Sequence, residues 1–142
     1  MRNLCALLVL LALPLAAEKK VIVPPEFAGG NPNFSPAILV DGTLYVSGQI
    51  GQDLKTKQVP ADFETEVKTV LGNIGIVLKA AGMEHKDVVS VQVYLTDMDL
   101  FARMNGVYSA VFKAPRPSRT TVGVTKLANA KARIEVTVTA RK

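Results

Sequence analysis

The chain has 142 residues, 49% of them apolar and 20% charged, with 17 Lys+Arg against 12 Asp+Glu for a formal net charge of +5. This is the composition of one globular domain, and it excludes a disordered tail, a low-complexity scaffold and an enzyme with separate cofactor and substrate domains. A chain of this length buries about 65 to 70% of the surface its unfolded form exposes, so self-association is a natural supplement to its core.

Residues 4–17 (LCALLVLLALPLAA) follow Arg2 and carry no charge. The run is shorter than the roughly 20 apolar residues of a membrane-spanning helix, ends in small residues and gives way to Glu18, Lys19 and Lys20, which is the pattern of a secretory signal peptide. Removal after Ala17 is expected, with Leu15 larger than the usual residue three before the cut, and leaves a single domain of 125 residues, 18–142. The expected location is periplasmic or secreted, with no stable membrane span after cleavage; a true start further downstream would leave the same domain cytoplasmic. Cys5, the only cysteine, lies in the removed run, so disulfides, thiolate catalysis and zinc–thiolate sites are excluded.

Lys20 to Val23 can open a short strand, which Pro24 and Pro25 force into an extended exit. After an irregular loop around Gly29 to Asn33, two apolar runs, 37–40 and 43–47, flank Asp41-Gly42, a pair that favours a two-residue hairpin turn. From Asp62 the period lengthens: Phe63, Val67, Val70, Leu71, Ile74, Val77, Leu78 and Ala81 fall on one helical face, with Gly82 as the stop. Gly72 and Gly75 inside this helix suggest close approach of another backbone. Alternation over 89–96 predicts a long strand, Asp97 or Asp99 can cap a second helix bearing Phe101, Met104, Tyr108, Val111 and Phe112, and Pro115 and Pro117 bracket the turn that follows. Residues 119–124 and 133–140 read as two closing strands. The predicted order is βββαβαββ, an α+β sheet with two helices on one face and its other face needing cover.

Charge is distributed unevenly along this plan. Residues 18–112 hold 8 basic and 11 acidic residues, whereas 113–142 hold eight cations against the single acid Glu135, a net of +7. A basic tail points to an anionic partner, but it contains no Phe, Tyr or Trp on which bases could stack, which favours a small carboxylate over a nucleic acid. His85, the only histidine, sits in the charged loop Glu84 to Asp87 and reads as a surface residue. No dinucleotide or Walker fingerprint, nucleophile elbow or nitrogen-rich metal set is present, so no cofactor or metal is called for. Arg119, beside the rigid Pro117 turn, can present two parallel donors to a carboxylate. Glu135 falls opposite Ile134 and Val136 on its strand, and among so many cations it is expected to favour the carboxylate form and to orient water.

These residues also carry a resemblance. Val46-Ser47-Gly48-Gln49-Ile50, Ala80-Ala81-Gly82, Val91 to Thr96 with Asp97, Asn105 with Tyr108, Pro117-Ser118-Arg119 and Ile134-Glu135-Val136 occur in the order and spacing of the Rid (YjgF) family, whose older name is endoribonuclease L-PSP. The resemblance covers roughly residues 20–142. It implies a chorismate-mutase-like fold, a homotrimer with sites between subunits, and hydrolysis of reactive enamines and imines to 2-oxo acids and ammonia. Arg119 matches the arginine that clamps the substrate carboxylate, and Glu135 the acid that positions water. Ser47, Asn105 and Tyr108 match residues lining or supporting the cleft. Phe34 stands where the best-known members have Tyr, and Thr121 where many have Cys, which bears on substrate range. Two rival readings accompany the deaminase: a non-catalytic trimer that binds small carboxylates, and a ribonuclease, against which the absence of a His pair and of aromatics in the tail both count.

Overall fold

The structure is a computed structural model and describes residues 18–142. The run expected to direct export lies outside the described residues. Six strands and two helices follow the predicted order: β1 (Lys20–Ile22), β2 (Ala37–Val40), β3 (Thr43–Ile50), α1 (Phe63–Ala80), β4 (Val88–Leu95), α2 (Phe101–Val111), β5 (Ser118–Gly123) and β6 (Ile134–Arg141). They form one mixed sheet in the order β1-β2-β3-β6-β4-β5, in which only β4 and β5 run parallel. Among the described residues, no helix is long and apolar enough to cross a membrane.

Local chemistry accounts for the boundaries. Asp41 and Gly42 both take positive φ, 48° and 70°, as the two-residue turn between β2 and β3 requires. Asp62 caps α1 by accepting from the Thr65 amide at 2.8 Å. At the other end Gly82, at φ 71°, lets its amide reach the Lys79 carbonyl and the Met83 amide reach the Leu78 carbonyl, which closes the helix. Asp97 caps a short 3-10 turn, Met98–Leu100, by accepting from the Asp99 amide, and that turn feeds α2. The sequence placed this cap on the helix itself; the extra turn intervenes.

Val67, Val70, Leu71, Ile74, Val77 and Leu78 of α1 bury against Leu44 and Val46 of β3, Val91, Val93 and Leu95 of β4 and Ile134, Val136 and Val138 of β6. Each such fully buried side chain contributes about 1.5–3 kcal/mol of transfer free energy, and the alternation of the strands keeps all of them on the helix side. The other face is uncovered by any described element. Register places Val21, Ile38, Tyr45, Tyr94 and Val122 there among threonines, with Val21, Tyr45 and Val122 each more than two-fifths exposed.

The helix glycines resolve differently from expectation. A Cβ on Gly72 would meet nothing, and one on Gly75 would strike the His85 ring at 2.8 Å, so the close neighbour is a side chain and not a backbone. His85 is accordingly packed against the helix and not free in a charged loop. Its ring is half-buried on α1 with Nε2 3.0 Å from the Leu71 carbonyl oxygen, which places the proton on Nε2, and it meets Phe112 edge-on at 5.6 Å.

Candidate active site

Register decides how the two candidate catalytic residues stand to one another. Arg119 pairs across β5 with Val91 of β4, a core residue, and therefore points to the helix side; Glu135 pairs with Tyr94 and points to the open face. Within one chain the two side chains lie on opposite faces of the sheet.

On the helix side, the Arg119 guanidinium carbon stands 4.5 Å from the Tyr108 ring centroid and 5.6 Å from that of Phe101, with Nη1 4.0 Å from Met104 Sδ. The aromatic faces hold the cation without neutralising it. Tyr108 is itself stacked on Phe112 at 4.6 Å, so a run of rings from His85 through Phe112 to Tyr108 ends under the guanidinium. The adjoining cleft, about 590 Å³, is lined by Asn105, Gly106, Tyr108, Ser109, Arg116, Pro117 and Arg119, with no acid among them. Tyr108 Oη is buried without a hydrogen-bond partner, and so is Oγ1 of Thr121, two residues beyond Arg119 on the same side of β5. Burial raises the Tyr108 pKa above its ordinary value even against the nearby Arg119 and Arg116, so the hydroxyl stays protonated and able to donate.

The open face presents the acid. Glu135 Oε1 occupies the space that a Cβ on Gly48 would take, at the irregularity in β3 between Val46 and Gln49. Burial raises its pKa, and no cation opposes that shift. Within one chain this runs against the expectation that surrounding positive charge would favour the carboxylate form: of the tail's cations, Arg133 binds Glu66, Arg119 lies across the sheet, Arg141 donates to Thr43 and Lys142 to the Gly82 carbonyl. A second cavity, about 570 Å³, runs from Gly48 and Phe34 towards Lys57 and Asn73. Phe34 lines it and is half-exposed. Ser47 lines neither cavity; its Oγ donates to the Ser35 carbonyl at 2.7 Å and ties down the loop that carries Phe34. The structure thus gathers Arg119, Tyr108 and Asn105 at one cleft, with Thr121 on the same side of β5, whereas Glu135 stands on the opposite face against Gly48, and Ser47 holds the loop of Phe34 at the second cavity.

Sequence reasoning missed one pair that supports the Glu135 half. Glu66 is fully buried and accepts from the Arg133 amide and Nε, each at 2.7 Å, while Arg133 Nη2 donates to the carbonyls of Pro60 and Ala61 at 3.0 Å. This anchors the first residues of β6, and so Glu135, to the start of α1. The signal was available: an acid among Phe63, Val67 and Val70 on an apolar stripe needs a partner.

The family model described as endoribonuclease L-PSP matches residues 29–142. The chain is 39% identical over 119 residues to a Rattus norvegicus protein named 2-iminobutanoate/2-iminopropanoate deaminase, covering 83% of this chain and 86% of that one. It is 44% identical to a RutC family protein of Sulfurisphaera tokodaii over 66% of this chain and 76% of the other. Among solved structures, the Rid-family protein YyfA of Yersinia pestis superposes with a TM-score of 0.82 at 33% identity, covering 88% of this chain and all of that one. Sequence, sheet order and superposition agree that the chain belongs to the Rid (YjgF) family, the endoribonuclease L-PSP family of older usage.

Proposed function

We propose that the chain is a hydrolytic deaminase of reactive enamines and imines of the 2-aminoacrylate type, releasing 2-oxo acids and ammonia. The observation that carries this reading is the Arg119 guanidinium, held on an aromatic shelf beside a cleft with no acid to neutralise it. That is a receptor for a small carboxylate. The names of relatives such as the Rattus norvegicus deaminase support the same chemistry.

Imines hydrolyse unaided in water, so the site has only to orient the reactants and stabilise a tetrahedral intermediate. Arg119 binds the carboxylate of 2-iminopropanoate, the tautomer of 2-aminoacrylate. Water adds to the imine carbon and gives a carbinolamine; the C–N bond then breaks with a proton moved to nitrogen, leaving pyruvate and ammonia. Glu135 orients that water and carries the proton, a task suited to a carboxyl whose pKa burial raises.

Because Arg119 and Glu135 face opposite sides of one sheet, a site using both draws them from two copies of the chain. The proposed assembly is a homotrimer whose uncovered sheet faces meet, with three such clefts between neighbours. The proposed location, following from residues 1–17, is periplasmic or secreted. An amino-acid oxidase generating 2-iminopropanoate, with semicarbazide to trap what is not hydrolysed, tests the reaction. Added wild-type protein should suppress trapping and Arg119→Ala should not; equal suppression by both would overturn the assignment.

A further inference from the structure

A second arginine borders the cleft that holds Arg119. Arg116 lines the same volume of about 590 Å³, three residues before Arg119 across the Pro117 turn. The other described arginines are engaged: Arg103 pairs with Glu64, Arg133 with Glu66, and Arg141 donates to Thr43. Arg116 and Arg119 have no carboxylate partner among the described residues, and the remaining polar groups of the wall, Asn105, Ser109 and the unpartnered Tyr108 hydroxyl, include no anion. Both arginines border one cavity with no counter-charge from their own chain; the neighbour's Glu135 in the proposed assembly is assigned to the water at the imine carbon, so Arg116 remains to meet a second anionic group. The space is also generous for a three-carbon imine.

We propose that this cleft selects substrates with two carboxylates, imines of dicarboxylic amino acids such as iminosuccinate or 2-iminoglutarate, with Arg119 holding the carboxylate next to the imine carbon and Arg116 the distal one. The inference rests on the deaminase reading of the Arg119 site. Hydrolysis is balanced as before: water adds at the imine carbon, ammonia leaves, and the distal carboxylate takes no part in bond changes. Arg116 is a specificity-determining residue; its charge-assisted hydrogen bonds form equally in ground and transition states and so act chiefly through KM. Its exposure at the rim lets the longer acid extend outward while the imine stays at Arg119.

The test compares kcat/KM of wild type, Arg116→Gln and Arg116→Lys for iminosuccinate and 2-iminopropanoate, each made in situ from aspartate or alanine by an amino-acid oxidase. Wild type should prefer the diacid by at least about tenfold, and Arg116→Gln should erase that ratio mainly through KM, with partial recovery in Arg116→Lys. A wild-type ratio near one, or a ratio that survives Arg116→Gln, overturns the inference while leaving the deaminase reading intact. If wild type hydrolyses neither imine, the deaminase reading fails by itself. Calorimetry with oxaloacetate and pyruvate then decides the cleft's selectivity: tighter oxaloacetate binding that Arg116→Gln abolishes supports it, and equal affinity refutes it.

Discussion

The Arg119 guanidinium carbon lies 4.5 Å from the centroid of the Tyr108 ring, and the Tyr108 hydroxyl beside it is buried without a partner. A cation on an aromatic face keeps its full charge for a ligand while losing the freedom it would otherwise give up on binding. The ring and the hydroxyl therefore do separable things. Tyr108→Phe keeps the shelf and removes a donor; Tyr108→Leu removes both. Tyr108→Leu should raise KM for 2-iminopropanoate by about tenfold, the larger effect, whereas Tyr108→Phe should cost about threefold, since a desolvated cation–π contact is worth about 1–2 kcal/mol. Steady-state kinetics of the two variants would measure this, and equal effects would mean that the ring supplies no positioning.

Two glycines separate activity from stability. A Cβ on Gly48 would collide with Glu135 Oε1, the free end of a side chain that can swing away. Gly48→Ala should fold with a Tm within a few degrees of wild type and lose activity by on the order of a hundredfold, the cost of about 1 Å of misplacement. A Cβ on Gly51 would instead overlap the Glu66 backbone carbonyl as well as its side chain. Gly51→Ala should cost about 1–3 kcal/mol in denaturant unfolding, because helix backbone cannot move aside so cheaply.

The Glu66–Arg133 pair is the main buried charge of the core. Arg133→Ala leaves a fully buried carboxylate with only backbone donors, so a loss of about 3 kcal/mol in urea unfolding is expected. Glu66→Gln keeps an acceptor for the Arg133 amide and removes the charge that has to be compensated. It should cost less than Arg133→Ala; a larger loss would show that the ion pair is net stabilising beyond its hydrogen bonds.

Glu135 sets the pH dependence. Its pKa in the folded protein is raised by burial, so the folded state holds a proton that the unfolded chain releases, and stability falls as pH rises from the ordinary carboxylate value through the raised one. Glu135→Gln removes this penalty: its Tm should exceed that of wild type at neutral pH, and the gap should close below the ordinary carboxylate value. The activity follows the opposite limb, with wild-type kcat declining as acid protonates Glu135. In Glu135→Gln that limb should be lost along with most of the rate.

The element order was legible in the sequence because each segment advertises its own period and its own punctuation. The Asp41-Gly42 turn, the Asp62 cap and the Gly82 stop are local interactions, and local chemistry fixed them. Alternation likewise placed Glu135 opposite Ile134 and Val136. What the sequence could not give was the neighbour of each residue across the sheet. Only the pairing of β5 with β4 puts Arg119 on the helix side while β6 puts Glu135 on the other, and only packing turns His85 into part of a ring stack. The same holds for electrostatics: counting charges along the chain suggested a carboxylate bathed in positive potential, whereas within one chain the fold sends Arg119, Arg133, Arg141 and Lys142 elsewhere and leaves Glu135 governed by desolvation. Charge along a chain is a property of sequence, but potential at an atom depends on distances that only the tertiary structure sets.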